Sequence, residues 1–193
     1  MLAVGAAAVG GLLSAAAANS TALPAYERVM LRPEPQPIAD FELTDQDGRS
    51  FRFSSLRGEP ALVLFGFVHC PDVCPLSLQK LKQLKESNGE LKSVRVIMIS
   101  VDAERDNAPA LKEYLGHFSG DFVGLTGDPQ RVHEIARQFS AAFFKGSANP
   151  NGDYTVGHSG QVFAIDKGGN LRAEFYDASL EAMAGVTRAL LQE

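Results

Sequence analysis

Apolar and polar positions change period several times along the 193-residue chain, and each change marks an element. Residues 41–53, "FELTDQDGRSFRF", alternate apolar and polar on either side of Asp47-Gly48, a pair that tolerates positive φ, which predicts a β-hairpin. Residues 60–67, "PALVLFGF", and 94–100, "VRVIMIS", are almost continuously apolar, the pattern of strands covered on both faces of a partly parallel sheet. Between them, Leu78, Leu81 and Leu84 recur three apart among lysines over residues 76–90, so the three segments make a β-α-β unit. Helical spacing returns at Leu111, Leu115 and Phe118, and again at Val132, Ile135, Ala136 and Phe139, with a short strand over 122–125 between them. A second hairpin, "QVFAID" and "LRAEFY", turns at residues 167–170, and a helix over 180–191 with Met183, Val186 and Leu190 on one side closes the chain.

The order is hairpin, β, α, β, α, β, α, β, β, α. It predicts an α/β fold of thioredoxin-like type: a central mixed sheet, helices on both faces and an N-terminal β-hairpin. Ahead of it, residues 1–25 carry no charge, and 1–18 form a continuous Ala/Gly/Leu/Val stretch. Its length lies between a secretory apolar region and a minimal spanning helix of ~20 residues, so 1–18 is expected to be a signal peptide or a membrane anchor. No cysteine stands beside it to take a lipoprotein's lipid. Residues 22–38 hold four prolines and no helical period, which reads as an extended strap. The expected division is therefore segment 1–18, linker 19–36 and one folded domain, 37–193.

Composition narrows the function. A net charge of −5 without a run of Lys or Arg leaves no footprint for phosphates, so nucleic acid is not an expected partner. The chain has only two cysteines, Cys70 and Cys74, in "FGFVHCPDVCPLS" at the end of the first buried strand. A disulfide closing so short a loop would stabilise the fold by only about 2 kcal/mol, a weak reason for the pair to exist. Sites in α/β sheets gather beyond the carboxyl ends of strands, where Cys70 lies. Pro75 fits a first helical position, so residues 70–74 are expected to form a turn capped by the next helix, whose positive end would lower the thiol pKa and favour thiolate.

Thiolate serves either thiol–disulfide exchange or metal binding. Three residues, Pro71-Asp72-Val73, separate the cysteines instead of the two of a redox C-x-x-C, which widens the bite. Two thiolates with one imidazole suit Cu(I); with a further ligand the same set can hold Cu(II) or zinc. Of four histidines, His117 and His133 fall on helical segments and are expected at the surface. His69 should point away from the neighbouring sulfur if strand alternation persists. His158, in the loop before a strand that this topology brings beside the cysteine turn, is the candidate third ligand.

On the stretches "FELTDQDGRSF", "GFVHCPDVCP", "ISVDAERDNAP", "GLTGD" and "YTVGHSGQVFAIDKGGN" the chain resembles the Sco/SenC copper-binding proteins, which help assemble the Cu-A centre of cytochrome c oxidase. The resemblance implies that Cys70, Cys74 and His158 ligate copper, as Cu(I) and Cu(II), with Asp72 in the loop between the cysteines. It further implies a metallochaperone delivering copper to the Cu-A subunit of cytochrome c oxidase, working with other copper donors or acceptors. It would be tethered to a membrane through its N-terminal segment, on the periplasmic face of the inner membrane in a bacterium. The family usually places an aspartate before the histidine; here Gly157 stands there, so the carboxylate that would orient the imidazole is locally missing. Two alternatives use the same pair: a thiol-disulfide oxidoreductase that reduces a partner's cysteines through Cys70 and Cys74, or a redox or copper sensor. A peroxiredoxin-like peroxidase would carry a threonine three residues before its reactive cysteine, where this chain has Phe67.

Overall fold

The computed structural model describes residues 28–151 and 154–193, so segment 1–18 and residues 19–27 lie outside the described residues. Strands β1 (Val29–Pro37), β2 (Glu42–Asp45), β3 (Ser50–Arg52), β4 (Ala61–Gly66), β5 (Arg95–Ser100), β6 (Val123–Thr126), β9 (Val162–Ile165) and β10 (Asn170–Phe175) form one sheet in the order β1-β10-β9-β4-β5-β6-β2-β3. β4, β5 and β6 run parallel and the outer pairings are antiparallel. Among the described residues, strands β7 (Phe143–Lys145) and β8 (Val156–His158) pair only with each other. The helices are α1 (Val73–Ser87), α2 (Ala108–Gly116), α3 (Pro129–Gln138) and α4 (Leu180–Gln192).

The continuous apolar runs are explained by the two-residue period of a strand covered on both faces. Leu62 and Leu64 of β4, with Val96 and Met98 of β5, face a core shared with Leu78, Leu81 and Leu84 of α1, Leu111 and Leu115 of α2, and Met183, Val186 and Leu190 of α4. Ala61, Val63 and Phe65, with Ile97 and Ile99, face Val132, Ile135 and Ala136 of α3 on the other side. The helices thus lie on both faces, three on one and one on the other, and Phe41, Phe53, Phe65, Phe139 and Phe163 form a run of stacked and edge contacts beside α3. Leu78, Leu81 and Leu84 have no exposed surface, and each contributes roughly 1.5 to 3 kcal/mol by burial. Leu81→Ala would cost ~2 to 5 kcal/mol and loosen α1 from the sheet.

Local chemistry sets the ends of the elements. Asn107, Asp128 and Ser179 accept hydrogen bonds from the backbone N–H three residues on and start α2, α3 and α4. Gly48 and Gly169 take positive φ in the two hairpin turns. Three features differ from the expectation. The strap is, from Val29, the edge strand β1 on β10, with paired residues at 29–31 and 36–37 and an irregular stretch between. Residues 143–145, which no alternation in the sequence marks, form the short strand β7. Finally, α1 begins at Val73, two residues before Pro75. Proline is tolerated in this first turn because the N–H it lacks would have no intrahelical partner there.

Candidate metal centre

Cys74 therefore lies inside the first turn of α1, while Cys70 follows a turn in which its N–H donates to the carbonyl of Phe67 (3.2 Å). The Asp72 side chain makes no capping bond at the helix start. The Cys74 N–H, one of the helix's orphan donors, points instead at Cys70 Sγ (3.4 Å). One sulfur thus caps the helix that carries the other. Gly66, at the end of β4, makes room for the pair: a Cβ there would stand 2.8 Å from Cys74 Sγ.

His158 ends β8, a short strand and not a loop, and enters the same pocket from the opposite side. Its Nε2 is 3.6 Å from Cys70 Sγ and 3.3 Å from Cys74 Sγ, and the three donor atoms all lie within 4.8 Å of one another. Two donors that share one first-row ion at ~2.0 to 2.3 Å stand roughly 3.5 to 4 Å apart, so the set fits a single metal ion. Nδ1 of His158 lies 3.1 Å from the Ser159 carbonyl. A proton on Nδ1 makes that bond and leaves the Nε2 lone pair facing the sulfurs. The orienting role that an aspartate at 157 would play thus falls to a backbone carbonyl. Gly157 has its own reason: a Cβ there would come within 2.4 Å of the Phe144 ring, which covers it. Phe67 meets the imidazole edge-on at 5.6 Å.

Burial sets the protonation. Cys70 is 8% and Cys74 1% exposed. Desolvation, followed by the contact with Cys70, pushes the Cys74 thiol well above its ordinary range. The expected lowering by the helix terminus is overturned for Cys74, because burial outweighs a terminal partial charge. Its thiolate is favoured only when a cation replaces the proton. Burial also pushes His158 below its ordinary value, so the ring is neutral at pH 7 and its lone pair is free.

The other sequence candidates are placed apart. Asp72 is exposed on the rim of the cleft. His69 turns toward Asp106, Nδ1 to Oδ1 3.9 Å, and is outside the donor set. His117 and His133 are exposed, His133 stacked on Phe143. The cleft over the donors measures about 420 Å³ and opens between Pro71, Val73, Arg105, Tyr154 and Val156.

The SCO1/SenC family model matches residues 30–192. The chain belongs to the SCO1/SenC family. An SCO2-like protein of Rickettsia conorii is 38% identical over 149 residues, covering 75% of this chain and 72% of the relative. ScoI of Bradyrhizobium japonicum, solved with copper bound, is 34% identical with a TM-score of 0.72, over 79% of this chain and 99% of that one. Apo Sco1 of Thermus thermophilus is 32% identical with a TM-score of 0.75, over 83% and 95%. The thioredoxin-like class predicted from the order of elements holds for this SCO1/SenC chain and its neighbours. What sequence reasoning missed around the centre is Gly66, the Ser159 carbonyl and the polar residues Asp102, Arg105, Asp106 and Tyr154. The last four lie within motifs quoted for the family, but nothing local showed what they touch.

Proposed function

We propose that the chain is a copper metallochaperone in which Cys70, Cys74 and His158 hold the ion and release it to the Cu-A site of cytochrome c oxidase during its assembly. The observation that carries this reading is the convergence of two sulfurs and one neutral imidazole nitrogen within 4.8 Å. This soft set favours Cu(I), and the same donors with an added ligand serve Cu(II). The copper-bound Bradyrhizobium relative supports copper over zinc. On uptake the Cys74 thiol gives up its proton, while His158 supplies a lone pair that carries none. On release, a partner's ligand enters through the open cleft and displaces the donors one at a time. The recipient, and a station on the periplasmic face of a bacterial inner membrane with attachment through residues 1–18, rest on the family resemblance. Among the described residues no helix is long and apolar enough to cross a membrane.

The test is a titration of the reduced full chain with Cu(I) against a chelator, with X-ray absorption at the copper edge. One copper per chain with two sulfur neighbours and one nitrogen is expected, followed by transfer to a Cu-A domain. Binding no tighter than that of a simple dithiol overturns the reading. A dithiol reductase is the second reading, favoured by one observation: Cys70 and Cys74 are free thiols whose sulfurs lie within 4.8 Å of each other, and the less buried Cys70 can attack while Cys74 resolves. The electron pair would pass from the two thiols to a partner disulfide through a mixed disulfide, leaving Cys70 and Cys74 joined. That chemistry makes no use of His158.

A further inference from the structure

Among the described residues β7 and β8 pair only with each other, so the arm that carries His158 has no hydrogen-bonded place there in the main sheet. Side chains fasten it instead. The Tyr154 hydroxyl donates to Asp102 Oδ1 (2.6 Å), and Arg105 Nη1 donates to the Tyr154 carbonyl (3.2 Å). Arg105 Nε donates to Asp102 Oδ2 (2.6 Å), and its guanidinium lies 3.8 Å from the centre of the Tyr154 ring. Lys145 of β7 reaches Glu104 (2.6 Å) and covers the same ring at 4.0 Å. All these body residues belong to one short loop between β5 and α2, closed on itself by bonds from the Arg105 and Asp106 N–H groups to the Asp102 carbonyl.

The same loop also holds the other half of the centre. Asp106 is fully buried, and its Oδ2 accepts from Ser100 Oγ (2.7 Å) and from the backbone N–H of Val68 (3.0 Å), two residues before Cys70. One five-residue turn thus grips the cysteine segment with Asp106 and the histidine segment with Asp102 and Arg105. Asp102 is 4% exposed, so its bonds to a phenol and a guanidinium are charge-assisted and little screened.

We propose that residues 102–106 are a brace that sets the spacing between the two sulfurs and His158, with Arg105, Asp102 and Tyr154 as positioning residues for the imidazole. The inference rests on the reading of Cys70, Cys74 and His158 as ligands. An outer partner of this kind changes metal affinity by ~10- to 100-fold. Loss of the Asp102 and Arg105 contacts alone lets the arm drift, while Asp106 still holds the cysteine segment at Val68.

The experiment compares the full chain with Arg105→Ala, Arg105→Lys and Tyr154→Phe. In the metal-free protein, amide hydrogen exchange is read at Gly146 and Ser159, whose N–H groups donate to the carbonyls of Thr155 and Ala142, against β4 and β5. Arg105→Ala is expected to speed exchange in the arm and leave the central strands protected. With Cu(I), it should lower affinity by about 10- to 100-fold, with copper keeping two sulfur neighbours and losing its nitrogen. Arg105→Lys, which supplies charge without the fork, should fall between, and Tyr154→Phe should show the smallest shift in the same direction. Unchanged exchange in the arm overturns the brace, as does faster exchange spread evenly over the central strands, which would make Arg105 a general stabilising residue. Should Arg105→Ala fail to fold, Tyr154→Phe decides by the same readouts. A wild-type spectrum without nitrogen overturns the ligand reading instead, and exchange in the arm still decides whether the brace holds it.

Discussion

The two halves of the donor set are built by different means. Cys70 and Cys74 lie between β4, which has a strand neighbour on each side, and α1, whose leucines are fully buried. His158 ends a strand whose one partner is β7, four residues before the chain enters the main sheet at Val162. The sulfurs are held by backbone ladders, a core and the bond from the Val68 N–H to Asp106, the imidazole by the Ser159 carbonyl, the edge of Phe67 and the contacts among Asp102, Arg105 and Tyr154. Under the proposed metallochaperone role, in which the centre binds an ion and then gives it up, such an asymmetry is an advantage. Local opening costs least where few backbone bonds are tied to the core, so the nitrogen is the ligand placed to leave first.

Substitution of the proposed ligands should break the comparison most strongly. Cys74→Ser removes one of two thiolates and is expected to reduce Cu(I) affinity by several orders of magnitude in a chelator competition. The hydroxyl, left at a site 1% exposed, should cost about 1 to 3 kcal/mol of stability, so the metal-free domain stays folded. Collapse of the melting transition would instead give Cys74 a structural role. His158→Ala comes next. Cu(II) binding should weaken by more than the ~10- to 100-fold that loss of an outer partner costs. Oxidation of Cys70 and Cys74 to a disulfide, followed by thiol titration, should proceed as in the parent chain. Equal damage to both properties would show that the halves are not separable.

The same division governs what the sequence discloses. β4, β5 and the leucine face of α1 are legible because continuous apolar runs and a helical period follow directly from burial. The cysteine half of the centre is legible with them. β1 is hidden by Pro33, Pro35 and Pro37, which read as a strap. The structure tolerates them because β1 is an edge strand, and Pro33 and Pro35 fall in the stretch between its paired ends. The start of α1 is misread by two residues because Pro75 fits the whole first turn and does not single out its first position. The arm is illegible for a different reason. Residues 143–145 are too short to show alternation, and Tyr154 meets Asp102 across 52 residues. His158 was found through topology and family resemblance. Nothing around it in sequence names Ser159's carbonyl as its support.

Two glycines sharpen the contrast with smaller effects. In Gly66→Ala the new methyl would press on Cys74 Sγ at 2.8 Å, between a fixed strand and a fixed helix. Overpacking of this kind costs ~1 to 3 kcal/mol, and the sulfur must move, so both melting temperature and Cu(I) affinity should fall. In Gly157→Asp the clash is with the ring of Phe144, which is 69% exposed and free to swing outward. Stability should then change by no more than about 0.5 kcal/mol. Copper affinity should stay near the parent value, because Ser159 already orients the imidazole. A harmless Gly66→Ala beside a damaging Gly157→Asp would reverse the assignment of the rigid and compliant halves.

A further contrast lies in the pH dependence of the metal-free protein, where the halves respond at opposite ends of the scale. Burial raises the Cys74 thiol above its value in the unfolded chain. The unfolded state therefore loses that proton first, and the associated stability, complete below the ordinary thiol value of ~8.5, declines as pH rises above it. The slope is at most about 1.4 kcal/mol per pH unit, and Cys74→Ser should flatten it. Burial lowers His158, so the unfolded chain takes up that proton first as pH falls below its ordinary value of ~6.5. The contribution of His158 is complete above that point and is lost on the acid side, and His158→Ala should remove the acid slope while leaving the alkaline one. Chemical unfolding from pH 5 to pH 10 reads both slopes, and hydrogen exchange over the same range locates them. Acid should loosen the arm around β7 and β8 before the core, whereas alkali should act on the junction of β4 with α1. If both ends of the range open the arm first, the cysteine half is not the rigid partner that its strand and helix make it.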